Sequence, residues 1–492
     1  MVRKRLLCLL LIPFLLMSAL PVSALDKEER LWQDETVYDI MIDRFNNGNS
    51  KNDYKVNVQD LHAYNGGDFQ GITDKLNYIT DMGFTTISLS PIFDNEDKGY
   101  DGNSVQDFYK TEEHFGSIKE LKKLVKEAHK RKLKVVVEFV VNEVGPNHPW
   151  IKEESKKNWF TDAPKLNLNN PEVQSYLTEA AKWWEKETNI DGYKIKQVQN
   201  APKAFWTAFA KELKNVNKDF FLIGEVQSTD LEESASYQEV GFDGVMNMEF
   251  MKPARQSLGK VNSSFEDALK TADESQKIFT NPNLVGIELD NSETVRFTND
   301  IVANNHNPGS RWKLALTYAY TTPGIPFIFY GSEIALAGEE NPDNLGLMGF
   351  KADKILIDFI TSIGNLRQTL PALTRGDYKT LYNKNGMVVY KRSYKNEVIV
   401  VAINNTSKTQ YVTLTKKDLA ENKELRGLLA GDLVREDNGE YKLVIKREAS
   451  EIYALAEKTG VNIGYIAAIA GIWIVFAVFI ILAMKRSKRS KK

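Results

Sequence analysis

Cysteine is almost absent: Cys8 is the only one in 492 residues. A disulfide within the chain is therefore excluded as a source of stability. Excess charge is absent too, since 64 Lys and Arg face 66 Asp and Glu for a formal net of −2. That balance hides an asymmetry. Arg3, Lys4 and Arg5 open the chain, and six of the last eight residues are basic. Without those nine, 55 basic residues face 66 acidic ones, near −11. Such a body repels phosphate backbones, so nucleic acid is excluded as its partner. Long hydrophobic runs are confined to the two ends. Between them, 42% apolar and 26% charged residues is the composition of a chain that buries a core. Its length exceeds the roughly 100–200 residues of one domain, so several domains or one large barrel with additions are expected.

The terminal runs point to a membrane. Arg3-Lys4-Arg5, the run LLCLLLIPFLLMSAL and the small residues Val22-Ser23-Ala24 have the three parts of a secretory signal peptide, expected to be cleaved after Ala24. Near the other end, Ile463 to Met484 is 22 residues without a charge. At the ~1.5 Å rise of a helix this is enough to cross a hydrocarbon core of ~30 Å. KRSKRSKK follows at once, and the positive-inside rule puts it in the cytoplasm. The expected arrangement is a single-pass cell-membrane protein with residues 25 to 462 outside.

In that part, eight short apolar runs alternate with helical stretches: YDIMI (38–42), TTISLSPI (85–92), KVVVEFVV (134–141), DGYKIKQV (191–198), FFLIGEV (220–226), GVMNMEF (244–250), LVGIELDN (284–291) and IPFIFYGSEI (325–334). SIKELKKLVKEAHKRK and NPEVQSYLTEAAKWWEKE carry apolar residues at helical spacing between them. Strands separated by helices pair in parallel, and eight such units close most simply into a (β/α)8 TIM barrel, an α/β fold. From about Met387 the runs MVVYKRSY, NEVIVVAIN and TQYVTLT are separated by turns such as Asp437-Asn438-Gly439, which predicts a C-terminal all-β domain.

Barrel chemistry collects at the C-terminal ends of the strands. There the sequence places Glu138, Asn142 and Glu143 (strand three), Lys194 and Lys196 (four), Glu225 (five), and Asp290, Glu293 and Arg296 (seven). Four glutamates and two lysines are thus expected to converge on one mouth.

The run GGDFQGITDKLNYITDMGFTTISLSPIFDN, the stretch HFGSIKELKKLVKEAHKRKLKVVVEFVVNEVGPNHPW, and IDGYKIKQVQN, LIGEV, GIELDNSETVRF and PGIPFIFYGSEI fall in the order and spacing of the α-amylase family. The chain resembles that family of retaining glycoside hydrolases (family 13), most closely its maltogenic, neopullulanase and cyclodextrin-acting branch. The resemblance covers nearly all of residues 30 to 456. It implies a barrel over 25–376 with a short inserted domain at about 142–170 and a β domain over 377–457.

The same resemblance makes the site unusual. Where the family has its aspartate nucleophile this chain has Lys196; the acid/base is retained as Glu225; the transition-state-stabilising aspartate is Glu293. The nucleophile-orienting arginine is Lys194 and its strand-three partner is Glu138, so a shorter cation faces a longer anion. The sugar-holding histidines are Glu143 and Ser292, the YHGY loop reads Tyr100-Asp101-Gly102-Asn103, and Asp-Pro-Asp-Asn-Arg reads Asn341-Pro342-Asp343-Asn344-Leu345. An ammonium beside the anomeric carbon opposes the oxocarbenium-like transition state that the missing carboxylate would stabilise. The expectation is a membrane-anchored pseudoenzyme that binds carbohydrate or a membrane partner at the cell surface, with Lys196 salt-bridged to Glu225, Glu293 or both, and Lys194 to Glu138. Heavy subunits of amino-acid transporters, which share this fold and do not hydrolyse, are a precedent in logic. The alternative is an α-glucan hydrolase of weak or altered activity, with Glu143 or Glu293 recruited as a new carboxylate partner for Glu225.

Two calcium sites are implied by the resemblance. Asn47, Asn49, Asn52, Asp53, the carbonyl of Gly66 and Asp68 match the N-terminal site of the cyclodextrin-acting branch, all hard oxygen donors. The central site needs Asn142 and an aspartate that is here Lys165, so that site is expected to be lost, with the ammonium replacing the ion's charge.

Overall fold

A computed structural model describes residues 29–351, 354–458 and 463–489. The expected signal peptide lies outside them.

The eight apolar runs form eight strands: β1 (Val37–Ile40), β2 (Thr86–Leu89), β3 (Lys134–Glu138), β4 (Gly192–Ile195), β5 (Phe221–Glu225), β6 (Gly244–Met246), β7 (Gly286–Ile287) and β8 (Ile325–Phe329). They pair in parallel in sequence order, and β8 returns to β1 to close the barrel. The strands are shorter than the apolar runs. Val140 and Val141 after β3, and Leu289 after β7, are buried in loops that cap the barrel. Hydrophobicity marks burial, which here extends past the ladder.

Helices on the outside follow local rules. Ser117 caps α2 (Ile118–Lys130) in a reciprocal box with Glu120, and Leu121, Leu124, Val125 and Ala128 bury one face against the barrel. Asn170 caps α3 (Pro171–Thr188) ahead of Pro171, and Asn189 ends it at φ 59°, a left-handed conformation that Asn tolerates. Around residues 142–170 the chain forms short 3-10 turns and a two-stranded hairpin, Phe160–Asp162 with Lys165–Leu166.

Alternation along each strand sorts the barrel interior into layers. At the N-terminal end Val37, Phe221, Ile223, Met246, Ile325 and Phe327 form an apolar plug. Two residues further along the same faces stand Asp39, Glu138, Lys194 and Glu225, all buried. The site is therefore the top layer of a packed barrel.

After the helix Ile355–Thr369, strands β9 to β16 run from Asp377 to Glu457 in a six-stranded sheet and a two-stranded sheet that enclose a second core. Asn405 ties this domain to the barrel by donating to the carbonyls of Ser257, Lys260 and Ser263.

The final helix runs Ile463–Arg489. Among the described residues no helix is long and apolar enough to cross a membrane. The transmembrane helix expected over 463–484 is therefore not shown among them.

Candidate active site

Lys194 is the centre of the mouth. Its Cα pairs in register with that of Glu138, yet its Nζ lies 2.9 Å from Asp39 Oδ2 and 3.7 Å from Glu138 Oε2. Asp39, at the end of β1, is the partner that motif reasoning missed; the period-2 pattern of YDIMI, with an acid on the same face as Val37, was the available signal. Burial pulls the Lys194 ammonium toward neutrality, but Asp39, Glu138, Glu288 and Glu225 outweigh it and hold the proton above the ordinary lysine range.

Lys196 follows the last residue of β4. Its Nζ stands 3.2 Å from Glu138 Oε1, 3.2 Å from Glu293 Oε1 and 3.3 Å from Ser292 Oγ. Glu138 is thus shared by both lysines. The predicted pair of Lys196 with Glu293 forms. Burial again opposes charge, and Glu138, Glu293 and Glu225 overcome it, so Lys196 also stays protonated above the usual range. Gln197 then turns the chain out of the barrel at φ 53° in the left-handed region, a strained position for a side-chain-bearing residue.

Glu225 departs from expectation. Its carboxyl is 3% exposed and makes no ion pair or hydrogen bond among the described residues. Burial raises it to about 7, with the charges of Lys196 and Lys194 pulling back. Beneath it Glu288, accepting a 2.7 Å bond from Asn291, is pushed by burial to about 8. This second unassigned carboxyl sits where a barrel interior normally holds a hydrophobe, and LVGIELDN displays it openly.

Two other candidates, Glu143 and Asn103, line a cavity together with Glu138, Lys196 and Glu293. Glu143 lies in an adjoining cavity, bridged to Lys165 by backbone pairing and raised by burial and by Asp101, while Lys165 pulls it down. Asn103 folds onto Asp101, its backbone N–H and Nδ2 donating to the two carboxylate oxygens. Asp290 and Arg296 leave the mouth altogether. Arg296 is fully buried and donates to the carbonyls of Asn344 and Tyr330, and Asp290 anchors the Phe297 N–H. These two residues brace the loop rather than meet a ligand, because β7 ends at Ile287 and the loop must cover the barrel. The two cavities in front of Lys196 and Glu293 measure about 60 and about 210 Å³, below the ~300–1,000 Å³ of typical ligand pockets.

At the N-terminal loop, Asn47 Nδ2 donates to both oxygens of Asp53 at 2.9 and 3.1 Å, and both residues adjoin Gly66. Asp68 caps α1 (Phe69–Asp81) through the N–H of Gly71 and also accepts from Gly48 and Asn49. Burial raises its pKa and the negative charge of Asp53 adds to that. Asn52 Oδ1 is buried without a hydrogen-bond partner. A neighbouring pair of carboxylates and an orphaned amide oxygen fit a hard cation. At the central position the donors do not fit one: Asn142 Oδ1 accepts from Asn200, its Nδ2 donates to the carbonyl of Lys196, and Lys165 supplies no oxygen.

A closed parallel barrel with ionisable residues at its C-terminal rim and a β domain behind it is the build of an α-glucan-type glycosidase. The chain belongs to the α-amylase family: the α-amylase catalytic domain matches residues 39–163 and 157–370, and the α-amylase C-terminal domain matches 376–453. It is 30% identical over 444 residues to the cyclomaltodextrinase of Thermoanaerobacter pseudethanolicus, covering 80% of this chain and 74% of that one. Among solved structures, it is 51% identical to an Anoxybacillus α-amylase (TM-score 0.86, 88% of this chain and 100% of that one). It is 49% identical to the α-amylase of Geobacillus thermoleovorans solved with acarbose (TM-score 0.84, with the same coverage).

Proposed function

We propose that this protein acts on α-1,4-glucans as a hydrolase of low and altered activity, with Glu225 as the proton donor. Its similarity to α-amylases over their full length supports the substrate class. The observation that carries the chemistry is the Glu225 carboxyl, buried at the end of β5 and raised to about 7. A carboxylic acid that keeps its proton near neutrality is what protonation of a glycosidic oxygen requires.

The second half of the reaction differs from the retaining scheme. The position that the family gives to the nucleophile carries Lys196, whose protonated amine cannot form a glycosyl ester. Glu138 and Glu293, each 3.2 Å from that ammonium, are the carboxylates left to activate a water. Displacement by water in one step inverts the anomeric centre. The ammonium also repels the developing positive charge on the sugar, which lowers the rate.

The test is incubation of the full chain in a non-sugar detergent with malto-oligosaccharides, cyclodextrins and pullulan, following the anomer released by NMR. Slow release of the inverted product, lost in Glu225→Gln, supports this reading. Release of the retained anomer at ordinary amylase rates refutes it. A second reading, a noncatalytic glycan-binding protein, is favoured by the small cavities before Lys196; maltoheptaose binding with no product at any time would select it.

The location is also proposed. The apolar stretch 463–484 followed by KRSKRSKK supports a C-terminal anchor with the barrel outside. External protease on intact cells should then digest the barrel and spare only the tail. For calcium at Asn47, Asn49, Asn52, Asp53, Gly66 and Asp68, the support is the orphaned Asn52 oxygen and the Asp53–Asp68 pair.

A further inference from the structure

One cavity lies outside the family's reacting residues. A groove of about 690 Å³ opens between helix α5 (Met248–Leu258) and helix α7 (Phe297–Ala303). Thr294 and Val295, the two residues after Glu293, line it, so the segment that brings Glu293 to the mouth also reaches the groove. Its volume fits a ligand of several rings, in the ~300–1,000 Å³ range of binding pockets.

The lining has an uncommon charge. Met248, Met251 and Val295 supply an apolar surface, and Lys252, Arg255 and Lys260 stand against a single acid, Asp300. That is a local +2 on a body near −11. Arg255 is already engaged: its Nε lies 2.7 Å from Asp300 Oδ2 and its Nη1 donates to the Leu289 carbonyl at 3.3 Å. Lys252 and Lys260 are exposed and have no carboxylate partner among the described residues. Lys260 is held at the rim because its carbonyl accepts from Asn405 of the β domain. Two exposed cations without a carboxylate partner among the described residues, beside an apolar surface, suit an anion attached to a sugar chain, whose C–H faces rest on methionine and valine. A neutral glucan would leave both ammonium groups without a role.

The geometry points to an anionic α-glucan as the ligand: a chain that enters the mouth, passes over Thr294 and Val295, and places a phosphate monoester between Lys252 and Lys260. This inference rests on the α-glucan reading and deepens it. A phosphate carries about −1.5 to −2 charges at neutral pH, so two lysines match it.

The test is calorimetric binding of the full chain in a non-sugar detergent to maltoheptaose and to maltoheptaose bearing one phosphate monoester. Two exposed contacts of modest strength predict about tenfold tighter binding of the phosphorylated ligand, weakening with salt. The double variant Lys252→Gln/Lys260→Gln should erase that preference, read as the ratio of the two affinities in the variant; both sites are exposed, so folding is preserved. Equal binding of the two ligands by the unmodified protein overturns this inference alone. A preference that survives the double variant overturns the assignment to the groove. Failure of both ligands to bind overturns the α-glucan reading together with it.

Discussion

Lys196→Asp puts a carboxylate in place of the ammonium, at the position proposed for the family's nucleophile, and it should destabilise the barrel. The ammonium is 17% exposed and stands 3.2 Å from two acids, Glu138 at 9% and Glu293 at 45% exposure. The Glu293 contact faces solvent and its loss costs at most ~1 kcal/mol. The Glu138 contact is buried, but Lys194 remains at 3.7 Å to hold that carboxylate. Its loss therefore falls below the ~3–5 kcal/mol of a wholly uncompensated buried charge, at about 2 kcal/mol. The new aspartate adds repulsion with Glu138 and Glu225, on the order of 1 kcal/mol while all are ionised. The total is about 3–4 kcal/mol at pH 8. The sign of the pH dependence follows. Carboxyls crowded together in the folded state have raised pKa values, so they bind more protons folded than unfolded, and stability falls as pH rises through about 4 to 8. At pH 5 the loss should shrink to about 2 kcal/mol, whereas Lys196→Met, which adds no carboxylate, should lose about 2 kcal/mol at both pH values. Urea unfolding followed by tryptophan fluorescence at pH 5 and 8 reads both. Lys196→Asp as stable as the unmodified protein at pH 8 would refute the structural role of the ammonium. Amylase-level hydrolysis by that variant would refute the view that Asn103, Glu143 and Ser292 no longer hold a sugar.

Lys194→Met should be worse than Lys196→Met, losing roughly 4–5 kcal/mol in the same assay, because it strands the buried Asp39 while Glu138 keeps only Lys196. Glu288→Gln should be nearly neutral at pH 5 and stabilising on the order of 1–3 kcal/mol at pH 9. The native carboxyl is raised to about 8, so its cost appears as pH climbs from the ordinary glutamate range through that value. Calcium at 100 times its dissociation constant should add about 2.7 kcal/mol and raise the thermal midpoint by several degrees, reversed by chelator. An Asp53→Ala/Asp68→Ala pair should abolish that rise, and a midpoint indifferent to both ion and chelator would remove the site.

The barrel was readable because its signal is redundant: eight β-branched runs, helices with caps, and turn residues all agree. Strand ends were not, since Val140, Val141 and Leu289 are as buried in loops as their neighbours are in strands. Within the site, Lys194, Lys196, Glu138 and Glu293 were legible as a group, because motif order fixes which strand ends they occupy. The pairing among them was not. Which carboxylate a lysine reaches depends on rotamers and on strand tilt around a closed barrel, so the alternation in YDIMI could place Asp39 inside the barrel but not pair it with Lys194, 155 residues away. Asp290 and Arg296 misled for a related reason: β7 is two residues long, so the loop after it consumes polar side chains to hold itself down.

The shorter cation and longer anion do not compensate each other one for one. A lysine at 194 opposite a glutamate at 138 would close a simple pair if the two were isolated, yet the Nζ turns to Asp39 and leaves one Glu138 oxygen to Lys196. Both lysines hold Glu138, so a change at either one weakens the hold on a buried carboxylate. A carboxylate at 196 is tolerable only if a residue at 194 grips Glu138 harder, as the forked guanidinium of arginine would. The pair Lys194→Arg/Lys196→Asp should therefore recover stability relative to Lys196→Asp alone, by a coupling of at least ~1 kcal/mol in a double-mutant cycle. Strict additivity of the two changes would show that the lysines act independently.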